Sequence, residues 1–183
     1  MGRTIERILL WLFVINLGIA LGAGLYEARI QVPEWLVSTP GGLRWDAEAS
    51  LRANTGLRFW AFVTTGPLTL LTVANLAAAW RSRGRLRRWW LTAGVVALAD
   101  RIFTFAYFIP TMIALQRMDG FSQVDAVATA TQWANLNHLR HLILLVALLL
   151  ALKTFACWYV RDVTERETAA PGEELASRSG AES

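Results

Sequence analysis

The sequence has little of what many enzyme and metal-binding classes depend on. Its 183 residues include one cysteine and two histidines, and 17% of them are charged. The single cysteine, Cys157, excludes an internal disulfide and a zinc site built from cysteines. The sequence also contains none of the motifs G-x-x-x-x-G-K-[ST], G-x-G-x-x-G, G-x-S-x-G and C-x-x-C. Nucleotide hydrolysis, dinucleotide binding, elbow-type serine hydrolysis and disulfide exchange therefore lose their usual support.

What the chain does have is apolar sequence. Hydrophobic residues make up 55% of it, and the mean hydropathy is +0.37. A soluble domain would carry about a quarter charged residues, well above this chain. Four apolar runs approach the ~20 residues that cross a bilayer core as a helix. The sequence therefore predicts an all-α fold, a four-helix transmembrane bundle in one domain over residues 1–161. The predicted spans are about 5–27, 57–80, 89–115 and 124–160.

The net charge of +4 is unevenly distributed along the chain. Residues 162–183 hold six acidic and two basic side chains, so this stretch carries −4 and the rest of the chain +8. We expect 162–183 to be a disordered acidic tail. Five arginines lie at 81–88, and this loop predicts the cytoplasmic side of a membrane rather than nucleic-acid binding. Both termini are then cytoplasmic, and we expect a bacterial cytoplasmic membrane, with a homo-oligomer left open.

The segment 29–55, between the first two spans, faces the outer side in this topology. Prolines and glycines punctuate it, and its scattered tryptophans and leucines predict a structured cap on the membrane or over the bundle. Short strands and an interfacial helix are both compatible with the pattern. Within the spans, Gly66-Pro67 predicts a kink whose released carbonyls neighbouring threonines can bond. The spacing Gly18-x-x-x-Gly22 indicates the close approach of a second helix.

Each predicted span carries polar side chains on one face. At about 100° per residue, Asn16 and Glu27 share a face of the first span, and Asp100 and Tyr107 share a face of the third. The stretch 131–141, which opens the fourth span, holds both histidines, three amides and an arginine. Burying polar groups in lipid is costly, so these faces must turn inward or toward water. We therefore expect a polar pocket in the outer half of the bundle, below the 29–55 loop.

Two histidines and one carboxylate form a candidate metal site. His138 and His141 lie about one helical turn apart, and Glu27 is expected at a matching depth on another helix. Two imidazoles with one carboxylate suit non-haem iron, and the set also suits copper and, less well, zinc. The alternative is that both rings form hydrogen bonds to amides or loop carbonyls, in a polar cap at the membrane boundary.

The other polar groups are candidates for binding and orienting a substrate. Tyr107 is either an interfacial aromatic or a proton donor to a substrate oxygen, while Asn137 and Arg140 would orient the substrate. Asp100 needs a partner in lipid, and its neighbour Arg101 points about 100° away around the helix. We therefore predict an ion pair between Asp100 and Arg140 across the bundle.

Three segments resemble the small four-helix anthrone-oxygenase-like membrane proteins, namely Gly22–Trp35, Ala106–Pro110 and Trp133–Arg140. The resemblance covers residues 5–158, and some members of that family oxygenate polycyclic aromatic anthrones to quinones. It implies an integral membrane oxidoreductase, oxygenase-like, that acts on an apolar or aromatic small molecule or lipid in the polar pocket. The alternative is a non-catalytic binding or accessory membrane subunit, whose polar interior serves folding and partner recognition.

Overall fold

Four long helical spans make up the protein. The structure is a computed structural model, and it describes the backbone of residues 2–181 and the side chains of residues 4–163. The helices that are long and apolar enough to cross a membrane are Thr4–Trp35, Gly56–Arg81, Gly84–Arg117 and Gln123–Val163. The predicted all-α transmembrane bundle is thereby confirmed, and the chain is an integral membrane protein.

Three of the spans change helix type along their length. In chain order, the helical elements are α1 Gly2–Tyr26, the π-helix π1 Glu27–Gln31, α2 Val32–Trp35, α3 Ala47–Ala53, the π-helix π2 Gly56–Thr65, α4 Gly66–Arg81, α5 Gly84–Phe103, the π-helix π3 Thr104–Phe108, α6 Ile109–Arg117 and α7 Gln123–Ala181. The first span thus continues well past residue 27, where the apolar pattern predicted its end. The predicted disordered tail at 162–183 lies almost wholly outside the residues whose side chains are described, and it stays a prediction.

The half of the bundle that holds α1, α4, α5 and α7 is closely packed and apolar. Phe13, Leu17, Leu68 and Leu144 are fully buried in its core. Close helix approach occurs at Gly94, where an added Cβ would lie 2.6 Å from Cδ2 of Leu76. The approach predicted at Gly18 and Gly22 is wrong within the described chain, because a Cβ at either position would meet nothing within 4 Å.

The loop between the first two spans combines both of the forms that its sequence allowed. Strands β1 Leu36–Thr39 and β2 Gly42–Trp45 pair as an antiparallel hairpin, with Leu36 opposite Trp45. Helix α3 follows, and the Asp46 carboxylate caps it by accepting a hydrogen bond of 2.9 Å from Ala49 N. The Trp45 indole donates to Leu115 O at 3.0 Å, and Gln123 Nε2 donates to Trp45 O at 2.8 Å. These bonds hold residues 36–53, which form a roof, over the third and fourth spans.

Each π-helix ends two residues before a proline. The residues concerned are Pro33, Pro67 and Pro110, which follow π1, π2 and π3. Proline lacks an N–H and its ring clashes with the carbonyl four residues earlier, so a wider turn before it relieves the crowding. The interruption predicted at Gly66-Pro67 takes this form, as a ten-residue π-helix.

Candidate functional site

A cavity of about 470 Å³ lies beneath the roof and is lined by residues from all three π-helices. Most of its lining is apolar and aromatic, and its charged members come from three different spans. The lining residues that matter below are Glu27, Trp60, Arg101, Phe108, Trp133 and Arg140. A largely apolar cavity of this size with a few convergent polar groups is typical of a small-molecule site.

Side chains from neighbouring spans donate hydrogen bonds to carbonyl groups of the π-helices. Asn16 Nδ2 of α1 donates to Val63 O of π2 at 2.9 Å. Trp133 Nε1 of α7 donates to Phe108 O of π3 at 3.2 Å. A buried carbonyl without a partner is costly, so these two bonds stabilise the widened backbone that forms the cavity walls.

Arg140 lies at the base of the cavity between two aromatic rings. Its guanidinium carbon lies 4.9 Å from the Phe108 ring centroid and 5.5 Å from that of Trp60. Both distances are within the range of cation–π attraction, which strengthens where water is excluded. The side chain is 6% exposed, so the protein holds a positive charge against the ligand space.

Glu27 also lines the cavity, and it contacts Trp60, the same tryptophan that Arg140 contacts. Its Oε1 accepts hydrogen bonds from Trp60 Nε1 at 2.8 Å and from Thr55 Oγ1 at 3.2 Å. The carboxylate and the Arg140 guanidinium attract one another electrostatically. Trp60 therefore positions both charges, one through its indole N–H and the other through its ring face.

Asp100 is fully buried and interacts with two arginines. The predicted pair with Arg140 is present, with 4.0 Å between Arg140 Nε and Asp100 Oδ1. The direct hydrogen bonds, however, come from the neighbouring Arg101, whose Nε lies 2.9 Å from Asp100 Oδ2 and whose Nη2 donates to the same oxygen. The long arginine side chain folds back along the helix, so the divergent Cα–Cβ directions did not prevent this contact.

The buried charges of the site balance. Glu27, Asp100, Arg101 and Arg140 are each at most 6% exposed. Two negative and two positive groups leave no net charge, and an additional unpaired charge in this low-dielectric interior would be expensive. The site is therefore suited to a ligand that enters uncharged.

The predicted site residues are not all brought together. Glu27 and Arg140 line the cavity, whereas Asn137 and His141 are buried beside it and Tyr107 is half-buried outside its lining. The Tyr107 ring stacks on Phe103, with 5.7 Å between the centroids. Because π3 adds about one residue per turn, Phe108 takes the face that ordinary α-helical spacing gives to Tyr107.

The predicted metal ligands do not form a set of three. Among the described residues, no group of three His, Cys, Asp or Glu side chains is placed to hold a metal ion. His138 is exposed, with its ring centroid 6.1 Å from that of His141, and Glu27 is engaged by Trp60 and Thr55. His138, His141 and Glu27 therefore do not form the predicted metal set among the described residues, and the metal stays a prediction.

Sequence reasoning missed three aromatic residues that line the cavity, Trp60, Phe108 and Trp133, of which Trp60 and Phe108 contact Arg140. Trp60 and Trp133 lie toward the outer ends of their spans, where tryptophan is common at any membrane interface. Nothing in the sequence distinguishes such a residue from one that turns inward. The proline after π3 was a usable signal for Phe108, because it marks where the helical register shifts.

Fold and cavity together define a polytopic membrane protein whose helix bundle contains a largely apolar cavity with a few charged groups. The anthrone oxygenase family matches residues 58–150, about half of the chain. The chain belongs to the anthrone oxygenase family. The match includes Phe108, Trp133 and Arg140, and it begins after Glu27. Neither the curated proteins nor the solved structures contain a match to the chain.

Proposed function

We propose that the protein is a membrane oxidoreductase of the oxygenase type, acting on a neutral apolar or aromatic small molecule held in the cavity. The observation that carries the proposal is the Arg140 guanidinium, held between Phe108 and Trp60 beside the Glu27 carboxylate, in a cavity whose lining is mostly apolar and aromatic. Membership of the anthrone oxygenase family supports the reaction type. Anthrone-like ketones, with a CH₂ group activated by a ring carbonyl, are the proposed substrate class.

The two charged groups have complementary roles in this proposal. The substrate carbonyl oxygen faces Arg140, and the Glu27 carboxylate accepts a proton from the activated CH₂. Negative charge then develops on the substrate oxygen as it disappears from Glu27, so the buried net charge does not change. A positive group already aimed at the developing charge lowers the barrier without reorganisation.

The overall reaction balances with dioxygen as the only co-reactant. The CH₂ carbon loses two hydrogens and gains one oxygen atom, becoming a second ring carbonyl. The other oxygen atom is reduced and leaves as water with both hydrogens. Dioxygen is therefore the oxidant, and no external reductant is required.

Quinone formation from anthrone, followed in lipid nanodiscs with an oxygen electrode, tests the proposal. Anthrone oxidises slowly in air, so the rate above protein-free nanodiscs is the measured quantity. We expect Arg140→Met to lower kcat by about 10²–10³, the usual cost of removing one group that stabilises an oxyanion. Glu27→Gln should also abolish turnover above background, because an amide does not accept the proton.

Matched variants at exposed positions serve as controls. Arg58→Met and Glu34→Gln remove the same charges from exposed residues outside the cavity lining and should retain the parent rate. Tight anthrone binding without oxygen consumption would favour the non-catalytic binding subunit. Absence of both binding and turnover in the parent would reject the site.

A further inference from the structure

Behind Arg140 lies a group of buried polar atoms without hydrogen-bond partners. They are both amide atoms of Asn137, both ring nitrogens of His141, Oδ1 of Asp100 and Nε of Arg140, none of which has a partner among the described residues. Asn137 is 0% and His141 5% exposed. Leaving a buried donor or acceptor unbonded costs about 1–3 kcal/mol. Six such atoms in one region indicate a bound ligand and not a chance defect of packing.

These atoms share one region of the bundle. On α7, Arg140 lies about 60° to one side of Asn137 and His141 about 40° to the other. Asp100 lies opposite on α5, 4.0 Å from Arg140 Nε. Gly24 of α1 closes the remaining side, since a Cβ there would lie 2.6 Å from Nε2 of His141. Neither Asn137, His141 nor Asp100 lines the ligand cavity, so the region is distinct from it.

The same fold satisfies a comparable amide elsewhere. Asn75 is also 0% exposed. Its Nδ2 donates to Leu9 O at 3.2 Å and to Leu71 O at 2.8 Å, and its Oδ1 accepts from Trp90 Nε1 at 3.0 Å. An amide that serves helix packing alone thus finds protein partners in this bundle. Asn137, buried as deeply, finds none.

The chemistry of the six atoms selects the ligand. The Asn137 amide and Arg140 Nε supply N–H donors, while the oxygens of Asn137 and Asp100 are acceptors, and a neutral imidazole supplies one of each. A metal cation uses lone pairs alone and would leave the N–H groups unbonded. Water both donates and accepts, and an internal water makes about three hydrogen bonds. Six free atoms therefore suit roughly two waters.

We propose that the first, third and fourth spans enclose an internal water site formed by Asn137, His141, Asp100 and the Nε edge of Arg140. The proposal does not depend on the oxygenase activity. Water there bridges the 4.0 Å separation between Arg140 and Asp100, which is too long for a direct hydrogen bond. The Nε edge of the Arg140 guanidinium is then hydrated, while the side that faces the Phe108 and Trp60 rings lies against an apolar ligand.

Radiolytic labelling of the full chain in lipid nanodiscs tests the proposal. X-rays convert bound water to hydroxyl radicals, which modify adjacent side chains and are read out by mass spectrometry. Phe13 is the control, because it is 0% exposed in the apolar core. Normalised to the unfolded chain, His141 should be labelled at least about fivefold faster than Phe13, since internal water is held next to it. Equal labelling of the two residues would overturn the proposal.

An amide-to-apolar substitution gives a second, independent measurement. Asn137→Leu removes two of the proposed water's partners and should both lower the melting temperature and reduce His141 labelling toward that of Phe13. A truly unbonded amide would behave in the opposite way, because replacing it with an apolar group of similar shape is neutral or stabilising. A raised melting temperature would therefore refute the site. So would a stoichiometric metal that is lost in His141→Ala, since the nitrogens would then be ligands.

Discussion

Gly24 offers a sharp test of the packing between the first and fourth spans. The structure places an added Cβ at Gly24 2.6 Å from Nε2 and 2.9 Å from Cδ2 of His141. Real Cβ atoms do not approach a ring this closely, so the Gly24→Ala methyl must displace the imidazole or separate the helices. Overpacking of this kind costs about 1–3 kcal/mol.

Gly22→Ala is the matched control in the same helix. Its Cβ would meet nothing within 4 Å, so only the intrinsic gain of replacing a helical glycine, about 0.5–1 kcal/mol, applies. That gain is common to both variants, and the difference between them isolates the contact with His141. In a chain of this size, 1 kcal/mol shifts the melting temperature by about 2–4 °C. Gly24→Ala should thus melt at least about 2 °C below Gly22→Ala in tryptophan-fluorescence melts. Identical melting of the two variants would refute the packing described for His141.

Three further predictions concern the buried charge, the topology and the metal. Asp100→Ala should destabilise the protein by about 3–5 kcal/mol, because buried Arg101 loses the carboxylate that accepts its hydrogen bonds and Arg140 keeps only Glu27, and a melt within a degree or two of the parent would contradict this. Ser82→Cys, in a Cys157→Ser background, should resist thiol labelling from outside intact cells, because the arginine-rich loop is expected on the cytoplasmic side; efficient labelling would reverse the orientation. Elemental analysis of tag-free protein decides between the predicted metal and the proposed water site: stoichiometric iron, copper or zinc that His138→Ala and His141→Ala each lower would support the metal and refute the water site, and a metal-free parent that gains none on reconstitution would remove the metal.

The four spans were predictable because a run of about twenty apolar residues is a local property of the sequence. The inward placement of Glu27, Asp100 and Arg140 was predictable for a related reason, since an ionisable group in a membrane span must find a partner or a polar cavity. The form of the roof was not predictable, because short strands and short helices have nearly equal stability in a segment rich in glycine and proline. Its form depends on bonds to distant spans, such as that from the Trp45 indole to Leu115 O.

Two of the predicted site residues, His138 and Tyr107, lie outside the cavity lining, each for a different structural reason. The polar arc at the start of the fourth span is wider than the face of α7 that is buried, so Asn137 and His141 turn inward while His138 is exposed. In the third span, π3 shifts the helical register, so that Phe108 lines the cavity in place of Tyr107. A pattern read at 100° per residue cannot anticipate either effect, because one depends on which helices pack together and the other on a change of helix type.

The cavity itself follows from the backbone more than from the polar pattern. Pro33, Pro67 and Pro110 each follow a widened stretch of one span, and residues of all three widened stretches line the cavity. The fourth span contains no proline between Gln123 and Val163 and remains α-helical. Arg140 is therefore held on a regular helix, whereas Glu27, Trp60 and Phe108 are held on widened ones. The guanidinium that would bind the ligand's oxygen thus takes its position from regular helical geometry, while the neighbouring carboxylate and both rings around it take theirs from the turns widened before the prolines.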